Sequence, residues 1–369
     1  MKIAYDAKRA FLNNSGLGNY SRTIIKALAN YYSSAQLFLF TPKVNSSTFY
    51  FEAKNSEQIT VIKSTSFFKS FWRSYKITHE LNKLNIDVYH GLSNELPVNI
   101  KQFKGKKIVT IHDLIFLRYP HLYPFIDRQI YRRKFYKACV SADVIIAISE
   151  ETKKDIIHFF NISEQKIKVV YQSCDDAFYD SHTQKEIDAV KTNHQLPAKY
   201  LLYVGTIEER KNLATIIKAL KHVNDIPLVV VGKKTKYAEV VEQEINRYHL
   251  QERVLFLNNV TNQELPIMFK LASVFIYPSI FEGFGIPILE ALVSKIPVIT
   301  NKNGCFSEAG GPHSIYIDPL NETEMAQKIN EVLSNEGQRE QIIEHGFVYA
   351  EKFHKAVITK QLMEIYTTK

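Results

Sequence analysis

Residues 274–300 read Val274-Phe-Ile-Tyr277-Pro278-Ser-Ile-Phe-Glu282-Gly283-Phe284-Gly285-Ile286-Pro287-Ile-Leu289-Glu290-Ala-Leu292-Val293-Ser-Lys-Ile-Pro-Val298-Ile-Thr300. The apolar run Val274–Tyr277 stops at Pro278, which predicts a buried strand with a break after it. Pro287 opens a helical pattern, a residue favoured at the first helical position. Leu289, Leu292 and Val293 supply the apolar face of that helix. Val298–Thr300 predicts the next strand. Strand, loop, helix, strand is the repeating unit of a parallel α/β sheet.

The loop between strand and helix carries Glu282, Gly283 and Gly285. A glycine-rich turn at a helix start presents free N–H groups and the positive end of the helix dipole, which suits an anion. Glu282 and Glu290 lie eight positions apart, one in the loop and one about a turn into the helix. Taken singly, an acid near a helix start is also a favourable structural charge. Both together suit a ligand with phosphates at one end and sugar hydroxyls at the other.

The string Glu-Gly-Phe-Gly-Ile-Pro-Ile-Leu-Glu-Ala resembles the Glu-x7-Glu motif of retaining GT-B glycosyltransferases of family 4. The resemblance implies a nucleotide-diphosphate sugar as donor. It implies that Glu282 holds sugar hydroxyls and supports positive charge, and that Glu290 binds ribose hydroxyls. It also implies that Gly283, Phe284, Gly285 and Ile286 line the sugar.

The rest of the chain is consistent with this frame. With 369 residues, two domains are expected. Short β-rich runs alternate with amphipathic helical stretches throughout, with no fixed-period repeat. No apolar run is long enough to span a bilayer, and the start of the chain lacks a secretory h-region. Cys139, Cys174 and Cys305 lie far apart, which predicts a reducing, cytoplasmic setting and no cysteine metal site. The net charge of +9 is uneven: residues 1–184 hold 26 Lys and Arg against 16 Asp and Glu, and the remainder holds 21 against 22. A basic first half predicts an anionic partner for that half.

In the first half, Lys2–Asp6 predicts strand one. Asn13-Asn14-Ser15-Gly16-Leu17-Gly18 follows, then a helix over Thr23–Asn30. Gly16 and Gly18 are expected in a loop where backbone approaches a ligand, although a plain tight turn explains them equally. In the family, a glycine loop at this place closes over the donor. Segments 67–76 and 118–137 mix aromatics with Lys and Arg, which suits an anionic membrane surface or ordinary helix faces with extended basic side chains. No nucleic-acid recognition motif accompanies the charge. Ile108–Ile111 predicts a strand ending in His112 and Asp113. A histidine there is commonly a local hydrogen-bond partner, but the resemblance places His112 beside the donor sugar.

Asp180–Leu196 is polar and weakly periodic, and predicts the interdomain linker. This gives an N-terminal domain over 1–180 and a C-terminal donor-binding domain over 195–350. A last helix over 354–369 is expected to return to the first domain, as in the family. After the strand Tyr200–Val204 come Gly205-Thr206-Ile-Glu-Glu-Arg210-Lys211-Asn212. Cations at a helix start oppose its dipole, and a bound diphosphate would reverse that sign. The segment resembles the family's donor-diphosphate motif, with Thr206 where many members have Arg. Gly205, Arg210 and Lys211 are therefore expected at the donor phosphates, with Lys211 exposed. The loop after Val254–Leu257 holds the base in the family, which points to Val260.

The expected architecture is α/β: two doubly wound, Rossmann-like parallel-sheet domains (GT-B) with the active site in the cleft between them. The expected activity is retaining hexosyl transfer from a sugar nucleotide to a glycan or lipid-linked acceptor in surface polysaccharide synthesis. Glu282, His112, Arg210 and Lys211 are the expected catalytic residues. GDP-mannose is the favoured donor by resemblance, with UDP-glucose and UDP-N-acetylglucosamine open. No Asp-x-Asp or His cluster is present in a convincing context, so no metal or cofactor is expected. Two other readings remain: a sugar-nucleotide epimerase of the same fold, and a non-catalytic anion- or lipid-binding protein. The Glu-Gly-Phe-Gly string weakens the first. Intact Glu282, Glu290, Arg210 and Lys211 weaken the second.

Overall fold

A computed structural model describes residues 1–13, 15–45, 48–64 and 66–368. Asn14, quoted above beside the two glycines, lies outside them. The chain divides into two compact units: residues 1–173 with 353–369, and residues 174–352.

In the first unit, the described residues form a seven-stranded parallel sheet. Its strands are β1 (Lys2–Asp6), β2 (Gln36–Thr41), β3 (Ile59–Lys63), β4 (Val88–Gly91), β5 (Lys106–Ile111), β6 (Val144–Ala147) and β7 (Ile167–Val169). Their spatial order is β3-β2-β1-β4-β5-β6-β7. Ile3 lies opposite Leu37 on one side and Val88 on the other. Helices cover both faces, so central strands read as apolar runs and not as alternating ones.

The second unit holds six parallel strands: β8 (Leu201–Val204), β9 (Leu228–Val231), β10 (Val254–Leu257), β11 (Val274–Tyr277), β12 (Val298–Asn301) and β13 (Ile315–Ile317). Their order is β10-β9-β8-β11-β12-β13. Leu201, Val230, Val274 and Ile299 are buried in one cluster with Leu213, Ile216 and Ile217 of the following helix. Each sheet therefore reverses direction once, between β1 and β4 in the first and between β8 and β11 in the second. In open α/β sheets, ligands bind beyond the carboxyl ends of the strands at such a reversal.

Two sequence expectations differ from the structure. The unit boundary falls at Ser173/Cys174, ahead of the polar stretch expected to link the domains. That stretch contains the helix Gln184–Asn193, opened by a capping box in which Thr183 and Glu186 bond each other's backbone N–H. Gly16 and Gly18 lie in the first turn of the helix Gly16–Tyr31, not in a loop before it. A Cβ on Gly18 would stand 1.8 Å from the Asn13 carbonyl oxygen, so only glycine fits there, whereas a Cβ on Gly16 would meet nothing within 4 Å. The helix Lys355–Thr367 packs in the first unit, where Ile358, Leu362 and Tyr366 join the cluster around Ile3 and Leu37.

Candidate active site

The second sheet's reversal brings together two loops, one after β8 and one after β11. Gly205 follows β8, and its φ of +156° favours glycine. A Cβ on Gly232 would lie 1.9 Å from the Gly205 carbonyl oxygen, so the β8 and β9 ends can meet only through glycine. Arg210 and Lys211 follow in a single 3-10 turn, Glu209–Lys211, and stand ahead of the helix Leu213–Leu220 instead of in its first turn. Asn212 breaks the two apart with φ 58°, and its amide donates to the carbonyls of Pro319 (2.5 Å) and Pro278 (3.3 Å). The two loops are joined directly, because Ile280 N donates to Arg210 O at 2.8 Å.

Glu282 is the meeting point. Its Oε1 takes Lys211 Nζ at 2.5 Å, Arg210 Nη1 at 2.8 Å and the Tyr277 hydroxyl at 3.0 Å. Lys211 Nζ also donates to the Tyr277 hydroxyl at 2.5 Å and lies 4.8 Å from that ring's centre. Arg210 donates to Phe281 O at 2.6 Å and pairs with Glu208 at 2.5 Å. Burial would raise the Glu282 carboxyl, but Lys211 and Arg210 outweigh it and hold it at about 2. It is an anion at every physiological pH. Lys211 is held below the ordinary lysine range, first by burial and then by Arg210, against the pull of Glu282. Lys211, expected to be exposed, has only 12% of its side chain accessible and shares its carboxylate with Arg210.

The loop after β11 is pinned from beneath. The Cys305 thiol donates to the carbonyls of Glu282 and Phe284, each at 3.2 Å. The Asn301 amide donates to Ser279 O at 3.0 Å. Phe284 is buried, Gly283 and Ile286 are half-buried, and Gly285 caps the helix Ile286–Val293 with φ 105°. Glu290 lies on that helix. Burial, with the charge of Asp175 second, pushes its carboxyl up to about 8. No partner of that carboxyl is found among the described residues. One acid of the pair is thus a fixed anion and the other a proton holder. Val260 is half-buried between Asn259, φ 64°, and the capping pair Thr261/Glu264 that opens the helix Glu264–Leu271.

His112 belongs to the first unit, after β5. Its Nε2 donates to Leu92 O at 2.8 Å, and its Nδ1 faces the Gln172 amide at 3.3 Å. Tyr20 stands edge-on to the ring at 4.7 Å. Burial lowers its pKa to about 4, so the ring is neutral at pH 7. Both nitrogens are engaged by the protein, which is the commoner fate of a strand-end histidine. Asp113 accepts from Ile115 N at 3.2 Å.

The sequence matches two family patterns: Glycosyltransferase Family 4 over residues 14–178 and Glycosyl transferases group 1 over 184–348. The chain belongs to these glycosyltransferases. An O-antigen chain mannosyltransferase B of Escherichia coli is 26% identical over 99% of both chains. O-antigen chain mannosyltransferase RfbU of Salmonella typhimurium is 29% identical over 61% of this chain and 60% of that protein. The crystal structure of Anabaena HepE in complex with UDP and glucose superposes with a TM-score of 0.76 at 18% identity, covering 99% of each chain. The glycosyltransferase thus has two Rossmann-like units of GT-B type, as its motifs predict. Among its described residues no helix is long and apolar enough to cross a membrane.

Sequence reading finds Arg210, Lys211 and Glu282 as separate motif positions. It misses Tyr277, which bonds both Lys211 and Glu282. The residue ends an apolar strand and reads as core, and only the topology turns its hydroxyl toward the loop.

Proposed function

We propose that this glycosyltransferase moves a mannosyl unit from a nucleoside-diphosphate sugar to a glycan or lipid-linked acceptor, with retention at the anomeric carbon. The observation that carries the reading is the convergence of Arg210 and Lys211 on one carboxylate, Glu282, at the second sheet's reversal. Lys211 and Arg210 share one buried anion, and the other carboxylate on Arg210, Glu208, has 39% of its side chain open to solvent, so a further anion can compete for Arg210. A diphosphate brings that charge, and it gains more as the leaving group forms. Fixed cations that meet developing charge lower the barrier without reorganising. Glu282 keeps both cations in place. Its charge also suits the positive sugar ring of an oxocarbenium-like transition state.

Glu290 suits ribose hydroxyls. A carboxyl with no partner among the described residues accepts two donors on binding, and those donors favour its ionised form. Gly283–Ile286 suit the sugar, and Val260 suits the base through its backbone. His112, neutral at pH 7 with both ring nitrogens held by the protein, is not suited to proton transfer as a base. Arg210 and Lys211 take the part that a metal plays in other transferases. Mannose is the first choice because the two relatives above are mannosyltransferases by name. HepE, solved with UDP and glucose, keeps the base open.

The test is release of nucleoside diphosphate from GDP-mannose, UDP-glucose and UDP-N-acetylglucosamine with a phosphorylated lipid-linked glycan as acceptor. NMR of the product would assign the anomer. No release from any donor overturns the reading, and a product of inverted configuration overturns retention.

A further inference from the structure

β11 carries one residue whose chemistry its place in the core does not call for. Tyr277 is the last residue of the strand and only 1% of it is exposed. Its backbone is held by Thr300, whose hydroxyl donates to Tyr277 O at 2.8 Å. Its ring stacks on Phe275 at 5.7 Å and lies edge-on to Phe306 at 6.4 Å. Phenylalanine would fill that place without burying a hydroxyl, and a buried hydroxyl is unfavourable unless it is bonded.

The hydroxyl is bonded to two charged groups, and their chemistry fixes the direction of each bond. An ammonium has three N–H donors and no acceptor, and a carboxylate has acceptors alone. The Tyr277 hydroxyl therefore accepts from Lys211 Nζ at 2.5 Å and donates to Glu282 Oε1 at 3.0 Å. Lys211 Nζ donates to the same Oε1 at 2.5 Å, which closes a triangle. Burial first, and then Glu282, holds the phenol's proton well beyond the usual tyrosine range, so both bonds keep their direction as pH rises.

Tyr277 and Glu282 each take one proton of the Lys211 ammonium, and the third has no partner among the described residues. Without the hydroxyl, the ammonium would keep its bond to Glu282 alone and could turn about it. A ring fixed in the core supplies a second point of attachment, and with it one orientation.

We propose that Tyr277 is a positioning residue for the transfer step: its hydroxyl fixes the Lys211 ammonium so that the third N–H is kept for the departing diphosphate. The identity of that anion rests on the glycosyl-transfer reading, whereas the coupling of Tyr277 to Lys211 does not. A donor fixed beforehand meets the charge that develops on the leaving group without reorganising.

The test is Tyr277→Phe in the full-length protein. It keeps the ring, its stacking and its contact with the Lys211 cation, and removes the hydroxyl. It should lower kcat at least about tenfold, with donor Kd within about twofold of wild type. The loss should run through Lys211, so the same change in a Lys211→Met background should cost less than about twofold. The alkaline limb of the kcat profile should move to lower pH, because an oxygen that accepts from the ammonium favours its charged form. Glu282, Arg210 and Glu208, the other charged groups acting on that ammonium, are unchanged in the variant. Tyr203→Phe is the control: its hydroxyl is also buried but bonds Thr206 O at 3.3 Å, so its loss should leave the alkaline limb in place. A kcat close to wild type, or an equal loss in both backgrounds, overturns the proposal. So does an alkaline limb that stays put in Tyr277→Phe or moves equally in Tyr203→Phe. The same pair of changes read by chemical unfolding needs no substrate. Their separate effects on stability should not add in the double variant, and strict additivity overturns the coupling. If wild type turns over no donor, the transfer reading fails, while the unfolding measurement still decides the coupling.

Discussion

Glu290→Gln should stabilise the free enzyme, and the gain should grow with pH. In the folded chain the Glu290 carboxyl keeps its proton up to about pH 8, against an ordinary 4.5 in the unfolded chain. Between those values the unfolded chain gains by ionising and the folded one does not, so stability falls as pH rises. Each pH unit is worth about 1.4 kcal/mol for one whole proton, which gives roughly 3 kcal/mol at pH 7. Water reaching a partly exposed side chain trims that to about 1–3 kcal/mol. Glutamine keeps the shape and has no proton to lose. The second unit spans residues 174–352, a size at which 1 kcal/mol moves Tm by about 2–4 °C. The variant should therefore melt several degrees above wild type at pH 7.5 and close to it at pH 5. A Tm difference that is the same at both pH values would show that Glu290 titrates normally, and the account of it as a buried proton holder would fall. The same logic gives a binding signature. Nucleoside diphosphate should release a proton from wild type near pH 7, seen by calorimetry in buffers of different ionisation enthalpy, and none from Glu290→Gln.

Lys211→Met should cost about 2–4 kcal/mol of barrier, the scale of one lost preorganised donor. It should still fold, because methionine fills the buried stem and Arg210 stays on Glu282; near-normal turnover would remove Lys211 from the mechanism. Glu282→Gln should lower kcat with little change in donor Kd, since the charge matters most in the transition state, and a pure Kd effect would assign it to ground-state binding. Gly18→Ala should destabilise the first unit by more than about 2 kcal/mol, because a carbonyl occupies the site of the new Cβ; an unchanged melting curve would contradict that packing. Activity should persist in EDTA, and loss restored by a divalent ion would show a metal requirement.

The strands are legible because parallel strands buried on both faces are apolar runs, such as Leu228–Val231 and Val274–Tyr277. The glycine string and its two acids are legible because their positions are close in sequence. Other features depend on distant residues. Gly18 is required by Asn13 O, which only the folded turn brings close. The burial of Lys211 depends on Tyr277, 66 positions later. The stretch 180–196 reads as a linker because its helix buries little, Val190 alone on that helix being buried. The basic segments 67–76 and 118–137 are legible one by one, but that Lys69, Arg73, Lys134 and Lys137 line one cavity with Lys8 and Lys43 is not.

The helix Lys355–Thr367 has a consequence for how the chain assembles. Its Tyr366 hydroxyl meets His90 Nδ1 at 2.6 Å, and His90 Nε2 meets Thr110 at 2.8 Å, all deep in the first unit. During synthesis, residues 174–352 emerge as one continuous piece and can close their own core at once. The first unit is made earlier yet waits, with Tyr5 and the inner face of the helix Gly16–Tyr31 uncovered, until the helix Lys355–Thr367 is made. The unit begun first is therefore finished last, and a ribosome stalled before residue 355 leaves a completed second unit beside a first unit with an open core.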